Sequence, residues 1–424
     1  MGLKKDIEEL VEQNVISAEI GDQIRTYYHE KEKESGNRLF IVFGILGAIL
    51  IGLGMILIIA HNWDNLSREI KTFVSFLPLF FSQALCLFVM LKKVKNRVWR
   101  EVGSTLLFFS VSASISLISQ IYNIDGSLSG FLLTWMLLTL PIIYLLDSSI
   151  VAYLYLIGIT TYGCDVGYFT PNDTKVLNYW LLLIALSPHY LMALKTRISS
   201  NFTSFTHWLI TLSIVICLGT LAGKVDELMM VSYMSLFGLF YLIGSTKPFN
   251  KLRIINNPYL VLGALGTINM LLFLSFNDFW NDLTLQDFQP LDRLFGKELI
   301  VSLLLTFSAG YISYKDWKLN GLRPDPLMYI FIVFLIIFII GIFTPFSMIL
   351  INLITLLSGI ILIRKGTSNN HLGLVNFGLL VVTALIICRF FDHDLSFVSR
   401  GLMFVIVGIG FFVSNYLILK RKKA

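Results

Sequence analysis

Charge is scarce in this chain and missing from where a charge-driven machine would need it. Only 14% of the 424 residues are charged, against 56% hydrophobic; soluble domains carry about 25% charge. No Asp, Glu, Lys or Arg falls near the centre of any long apolar run. Ionisable groups inside a membrane mark proton and ion pathways, so their scarcity argues against a charge-relay pump. It leaves room for a carrier of neutral or lipid-like solutes. Cysteine is also sparse. Cys86, Cys164, Cys217 and Cys388 show neither CxxC nor Cys/His spacing, which points away from a metal site or disulfide framework and towards small packing residues. The first 37 residues are charged and lack a short apolar core. No cleavable leader is expected there, and the apolar run that follows is expected to drive insertion.

What is present in quantity is apolar sequence. Mean hydropathy is +0.75. Apolar runs recur at 39–60, 72–91, 103–121, 131–146, 149–164, 177–194, 203–223, 228–245, 258–276, 299–314, 326–343, 346–363, 372–389 and 401–419. Runs near 20 residues span a bilayer as helices. The chain therefore reads as all-α: a polytopic transmembrane helical bundle of about 14 helices. The runs at 149–164 and 299–314 are short and leave tilted or re-entrant segments open. Ahead of the bundle, residues 1–37 form a short cytoplasmic helical hairpin. Ile7, Leu10 and Val11 mark one amphipathic helix, and Ser17 caps a second with Ile20, Ile24 and Tyr27 on one face. Residues 38–165 and 166–419 make the membrane regions, and 420–424 a basic tail.

Basic residues set the orientation. With the N-terminus inside, alternation places 25 of the 33 Lys and Arg on the inner side. The net is then about +12 inside and about −6 outside. This predicts a multi-pass protein with both termini cytoplasmic. The seven tryptophans fall at or near predicted helix ends, as an interfacial belt requires.

Two helices differ from the rest. The first carries Gly44, Ala48 and Gly52 at four-residue spacing, a stripe that lets a neighbouring backbone approach. The third carries Ser112, Ser116 and Ser119 on one face. Those serines either return hydroxyls to their own backbone or line a polar cavity. Pro78, Pro141 and Pro188 sit mid-helix and free carbonyls that neighbouring groups must satisfy.

The expected outer loops are short and polar. They include His61-Asn62-Trp63-Asp64, Gln120 with Tyr122 and Asp125, the Asn277–Asp282 stretch, and Arg389 with Asp392. Three readings stay open. The carboxylates and His could take a divalent cation, they could serve as acid and base on a lipid-linked sugar, or they cap and anchor solvated helix ends. Arg389 at the membrane edge can pair with Asp392, or across helices with Asp64 or Asp125.

These stretches resemble a known family. The resemblance rests on Asn14-Val15-Ile16-Ser17, on Ala60-His61-Asn62-Trp63-Asp64, on Gln120-Ile121-Tyr122 with Asp125-Gly126 and Trp135, and on Arg389-Phe390-Phe391-Asp392 before Arg400-Gly401-Leu402. They are similar to the bacterial membrane proteins grouped as domain of unknown function 2157, mostly before residue 165. The resemblance implies an integral membrane protein and adds no chemistry. The sequence names no cofactor, no metal, no nucleic-acid partner and no oligomeric state. The bilayer is its expected partner. Its first functional reading is a transporter-like or lipid-handling protein with a polar outer site. A membrane enzyme using outer carboxylates and a sensor or scaffold with a docking hairpin are the alternatives.

Overall fold

A computed structural model describes residues 66–169, 173–223, 227–283, 296–321, 325–344 and 346–390, and parts of 7–26, 42–57 and 396–412. Among the described residues every regular element is a helix. We number them α1 (Val42–Ile51), α2 (Arg68–Lys92), α3 (Arg97–Ile121), α4 (Leu128–Leu146), α5 (Ser149–Cys164), α6 (Asp173–Arg197), α7 (Asn201–Leu218), α8 (Leu228–Ser245), α9 (Pro258–Phe273), α10 (Lys297–Asn320), α11 (Ile330–Phe343), α12 (Ser347–Ser368) and α13 (Leu372–Phe390). Each of the first thirteen apolar runs thus contains or becomes a helix. Nine of these helices, α2 to α8, α12 and α13, are long and apolar enough to cross a membrane. The run at 401–419 is described only in fragments.

The two runs that looked short are not. α5 continues through a five-residue π-turn, Asp165–Phe169, into a 21-residue span. α10 extends to 24 residues because Lys315, Asp316 and Lys318 continue the helix past the apolar stretch. Residue-type averages hide such polar helix ends.

Caps explain most starts. Ser67, Asn96, Ser127, Ser148, Ser200 and Asn257 accept a backbone N–H of the helix each precedes. In the N-terminal segment, Ile20 N–H donates to Ser17 Oγ at 3.4 Å, and Gly21 lies against Val11 and Ile7.

The chain divides into two compact units. The first takes in residues to Asp165 and Leu177–Met192; the second takes in Val166–Val176 and the chain from Ala193. In the first, α2 and α3 form an antiparallel pair, and α4 and α5 add to α3 in sequence. Ala48 of α1 is buried, and Gly44 of α1 lies against Val98 and Val102 of α3. Gly52 lies outside the described residues. The second unit has a contiguous apolar core built on α8, α9, α11 and α12, including Met234, Leu271, Phe334 and Ile351. Its helices approach closely. A Cβ on Gly378 would meet the Gly359 carbonyl at 2.8 Å, so α12 and α13 cross backbone to backbone.

The tryptophan belt is only partly there. Trp99 and Trp317 are exposed, but Trp280 is 0% exposed. Its ring fills the space beside Gly341, and its Nε1–H donates to the Leu274 carbonyl at 2.7 Å. Trp135 likewise packs on Phe108 and donates to its carbonyl at 2.9 Å. Position near a predicted helix end did not distinguish an interfacial ring from one folded inwards.

Candidate functional site

Among the described residues, the first unit carries an open groove of about 970 Å³ between α2, α3, α4 and the loop joining α3 to α4. Three local features shape it. Pro78 cannot donate to the carbonyl four residues back, and its ring opens the turn before it. The Ser75 carbonyl at this turn receives the Ser114 hydroxyl of α3 at 2.8 Å. The loop is then tied back on itself. Ile124 N–H donates to the Ser119 carbonyl at 2.9 Å, and Ser119 Oγ donates to the Ile124 carbonyl at 2.9 Å. Asn123 takes φ +48°, the left-handed region that Asn tolerates, and Ser127 caps α4.

The lining is graded along its length. Leu79, Val111, Phe131 and Leu138 give apolar walls, and Ser116, Ser119, Asp125 and Ser127 gather where the loop closes the helices. The register fixes the depth of the one deep amide. Ser75 faces Ser114, and Gly103 lies beside Cys86 and Val89. Gln83 is therefore level with the middle of α3, about 12 Å from the Ser75–Ser114 level at 1.5 Å per residue. Gln83, Ser116 and Asp125 all line the groove and make no hydrogen bond or ion pair to a described residue. An amide without a partner at hydrocarbon depth costs a few kcal/mol. The groove is thus chemically prepared for polar contact at two depths. Among the described residues no lysine or arginine lines it.

Beside it, across Phe76, lies a smaller hollow of about 450 Å³. Here Tyr122 accepts the Arg68 guanidinium over its ring at 4.6 Å, and its hydroxyl meets Thr72 Oγ1 at 3.2 Å. Tyr122 is therefore engaged with α2 and faces away from the larger groove.

The sequence-predicted residues divide as follows. Ser116, Ser119 and Asp125 come to one groove. Ser112 does not; it is buried, with its hydroxyl donating to the Phe109 carbonyl at 3.0 Å. Gln120 is exposed at the end of α3, outside the groove lining. Arg389 is buried in the second unit, where its guanidinium donates to Ser275 Oγ at 3.1 Å and stacks on Phe276. His61, Asn62, Trp63, Asp64 and Asp392 lie outside the described residues. Among the described residues, no three of His, Cys, Asp and Glu come together as metal ligands could.

Sequence reasoning missed two things. Gln83, an uncharged polar residue inside the apolar run 72–91, lines the groove. Glu101, beside the basic Lys92–Arg100 stretch, is 1% exposed and anchors the other end of α3. Ser148 Oγ donates to Glu101 at 2.6 Å, and the N–H groups of Ser149 and Ile150 donate to it at 3.1 Å each. Arg97 Nε lies 3.7 Å from the same carboxylate. One buried acid therefore caps the N-terminus of α5, where the helix dipole favours negative charge. A Glu directly after a basic run and before an apolar one was the available signal. A comparable knot ties the second unit. Buried Asp325 accepts from Lys365 Nζ at 2.7 Å and Tyr241 Oη at 2.8 Å.

The long apolar helices define the class: an α-helical integral membrane protein. Residues 8–152 match the model of a family described as predicted membrane proteins, domain of unknown function 2157. All the groove-lining residues, Phe76 to Leu138, and Glu101 fall within the matched stretch. No curated protein and no solved structure matches the chain.

Proposed function

We propose that this protein binds a lipid-like amphiphile in the groove between α2, α3 and α4, as a lipid-handling or transporter-like membrane protein. The observation that carries this reading is the graded lining: apolar walls at mid-helix depth leading to a hydroxyl- and carboxylate-bearing end. Known ligand pockets run to about 300–1,000 Å³, mostly apolar with a few placed polar groups. The scarcity of charge along the spans favours a solute that does not need a charge relay.

In this reading the loop end of the groove faces the outer side of a bacterial inner membrane, an orientation that the distribution of basic residues supports. Single cysteines at Lys95 and Asn123, in a chain whose four native cysteines are replaced by serine, test the orientation. An impermeant maleimide added to intact cells should label Asn123→Cys and spare Lys95→Cys; the reverse pattern overturns it. For the binding itself, wild type and Ser116→Trp are purified in parallel and their bound amphiphiles extracted. Ser116 is exposed in the groove, so the indole fills it without entering the core. An amphiphile that co-purifies with wild type and is depleted from a folded Ser116→Trp supports the reading. Equal content contradicts it.

A further inference from the structure

The groove's electrostatics select a head group, an inference that rests on the binding reading above. We infer that the occupant carries an uncharged, hydroxyl-bearing head and no phosphate.

The argument is one of complementarity. Phosphate recognition uses Arg, Lys or clustered N–H donors. Among the described residues the groove is lined by none of these cations. The N-terminus of α4 lines it at Gly126, Ser127 and Leu128, but Ser127 caps that end and Asp125, two residues ahead of the cap, already places a negative charge beside it. Asp125 is the one charged group among the described lining residues and pairs with none of the described residues. On α2, Arg68 lines the smaller hollow across Phe76 and is stacked on Tyr122, and Lys71 is among the lining residues of neither. A phosphate beside Asp125 would meet like charge; two unit charges ~4 Å apart in water repel by roughly a factor of five in affinity. A hydroxyl has the opposite fit. It donates to the Asp125 carboxylate and exchanges hydrogen bonds with Ser116. The hydroxyls of Ser114, Ser119 and Thr134 already donate to backbone carbonyls, so they present lone pairs that accept from a donor head. An acyl chain joined through an ester to a glycerol or sugar head meets this requirement, with the chain along the apolar walls.

The test compares two photoreactive probes of equal chain length, a diazirine-tailed monoacylglycerol and its phosphate ester, on the full-length protein in neutral detergent. Crosslinked peptides are located by mass spectrometry. The expected result is labelling of α2, α3 and α4 at groove positions, at least about fivefold stronger for the neutral probe. Free glycerol at the same concentration should not compete, since the apolar walls hold the chain. Asp125→Asn should narrow the preference by admitting the phosphate ester. Equal or stronger groove labelling by the phosphate ester overturns the head-group inference and leaves the groove as a lipid site. An unchanged preference in a folded Asp125→Asn overturns it too. Groove labelling by neither probe overturns both this inference and the binding reading.

Discussion

Ser114 donates its hydroxyl to the carbonyl of Ser75 across 2.8 Å, and Ser75 lies three residues before Pro78. The same relation recurs at Pro188. There the Tyr144 hydroxyl of α4 donates to the carbonyl of Ala185, again three residues before the proline. In each of these two membrane helices a neighbour's hydroxyl thus donates into the turn that the proline opens. At Pro78 this contact also sets the groove, because Ser114 and Leu79 both line it. Ser114→Ala should lower stability by about 0.5–1 kcal/mol, the usual range for an interhelical hydrogen bond in a membrane. In a Pro78→Ala background residue 78 N–H can bond the Val74 carbonyl and close the turn, which leaves the Ser75 carbonyl less open to the hydroxyl, so the cost should shrink. A double-mutant cycle in mixed micelles measures both, and equal costs in the two backgrounds would deny the coupling.

Glu101 is the second anchor. Removing it leaves two N–H groups at the start of α5 and the Ser148 hydroxyl without their acceptor. Glu101→Ala should therefore cost on the order of 3 kcal/mol. Glu101→Gln, which keeps an acceptor oxygen but loses the charge facing the helix dipole and Arg97, should cost less. The order of unfolding midpoints, wild type above Gln above Ala, is the readout. A Glu101→Ala protein with the wild-type midpoint would show that α5 is held by packing alone.

Trp280 offers a spectroscopic check on the second unit. The emission lost on Trp280→Phe should be blue-shifted and resistant to acrylamide, because the ring is fully enclosed. Red, readily quenched emission would return it to the interfacial belt. A Cβ at Gly341 would lie 2.3 Å from the Trp280 ring. Gly341→Ala should therefore destabilise by about 1–3 kcal/mol through overpacking, visible as a lower thermal midpoint.

The sequence discloses the helices well because a membrane imposes a coarse rule: enough consecutive apolar residues must satisfy their own backbone. That rule finds α2 to α13 from hydropathy alone. It is blind to which side of a helix faces a neighbour, and the site depends on that. Ser112 and Ser116 share a helical face, yet Ser112 folds its hydroxyl into the backbone while Ser116 stays in the groove. The difference comes from where α2 and α4 pack, a tertiary fact that spacing does not encode. Glu101 was hidden for the opposite reason. Beside a basic run it reads as solvated, and only the return of the chain at Ser148–Ile150 shows its partners.

The account stands on the groove being filled by an amphiphile. A high-resolution cryo-EM map of the protein in native lipid addresses that directly. We predict elongated density beside Leu79, Val111 and Leu138, running from the level of Gln83 to Ser116 and ending in a head contacting Asp125. A map that resolves surrounding lipids but shows the groove closed by side chains, or open and empty, would contradict the account.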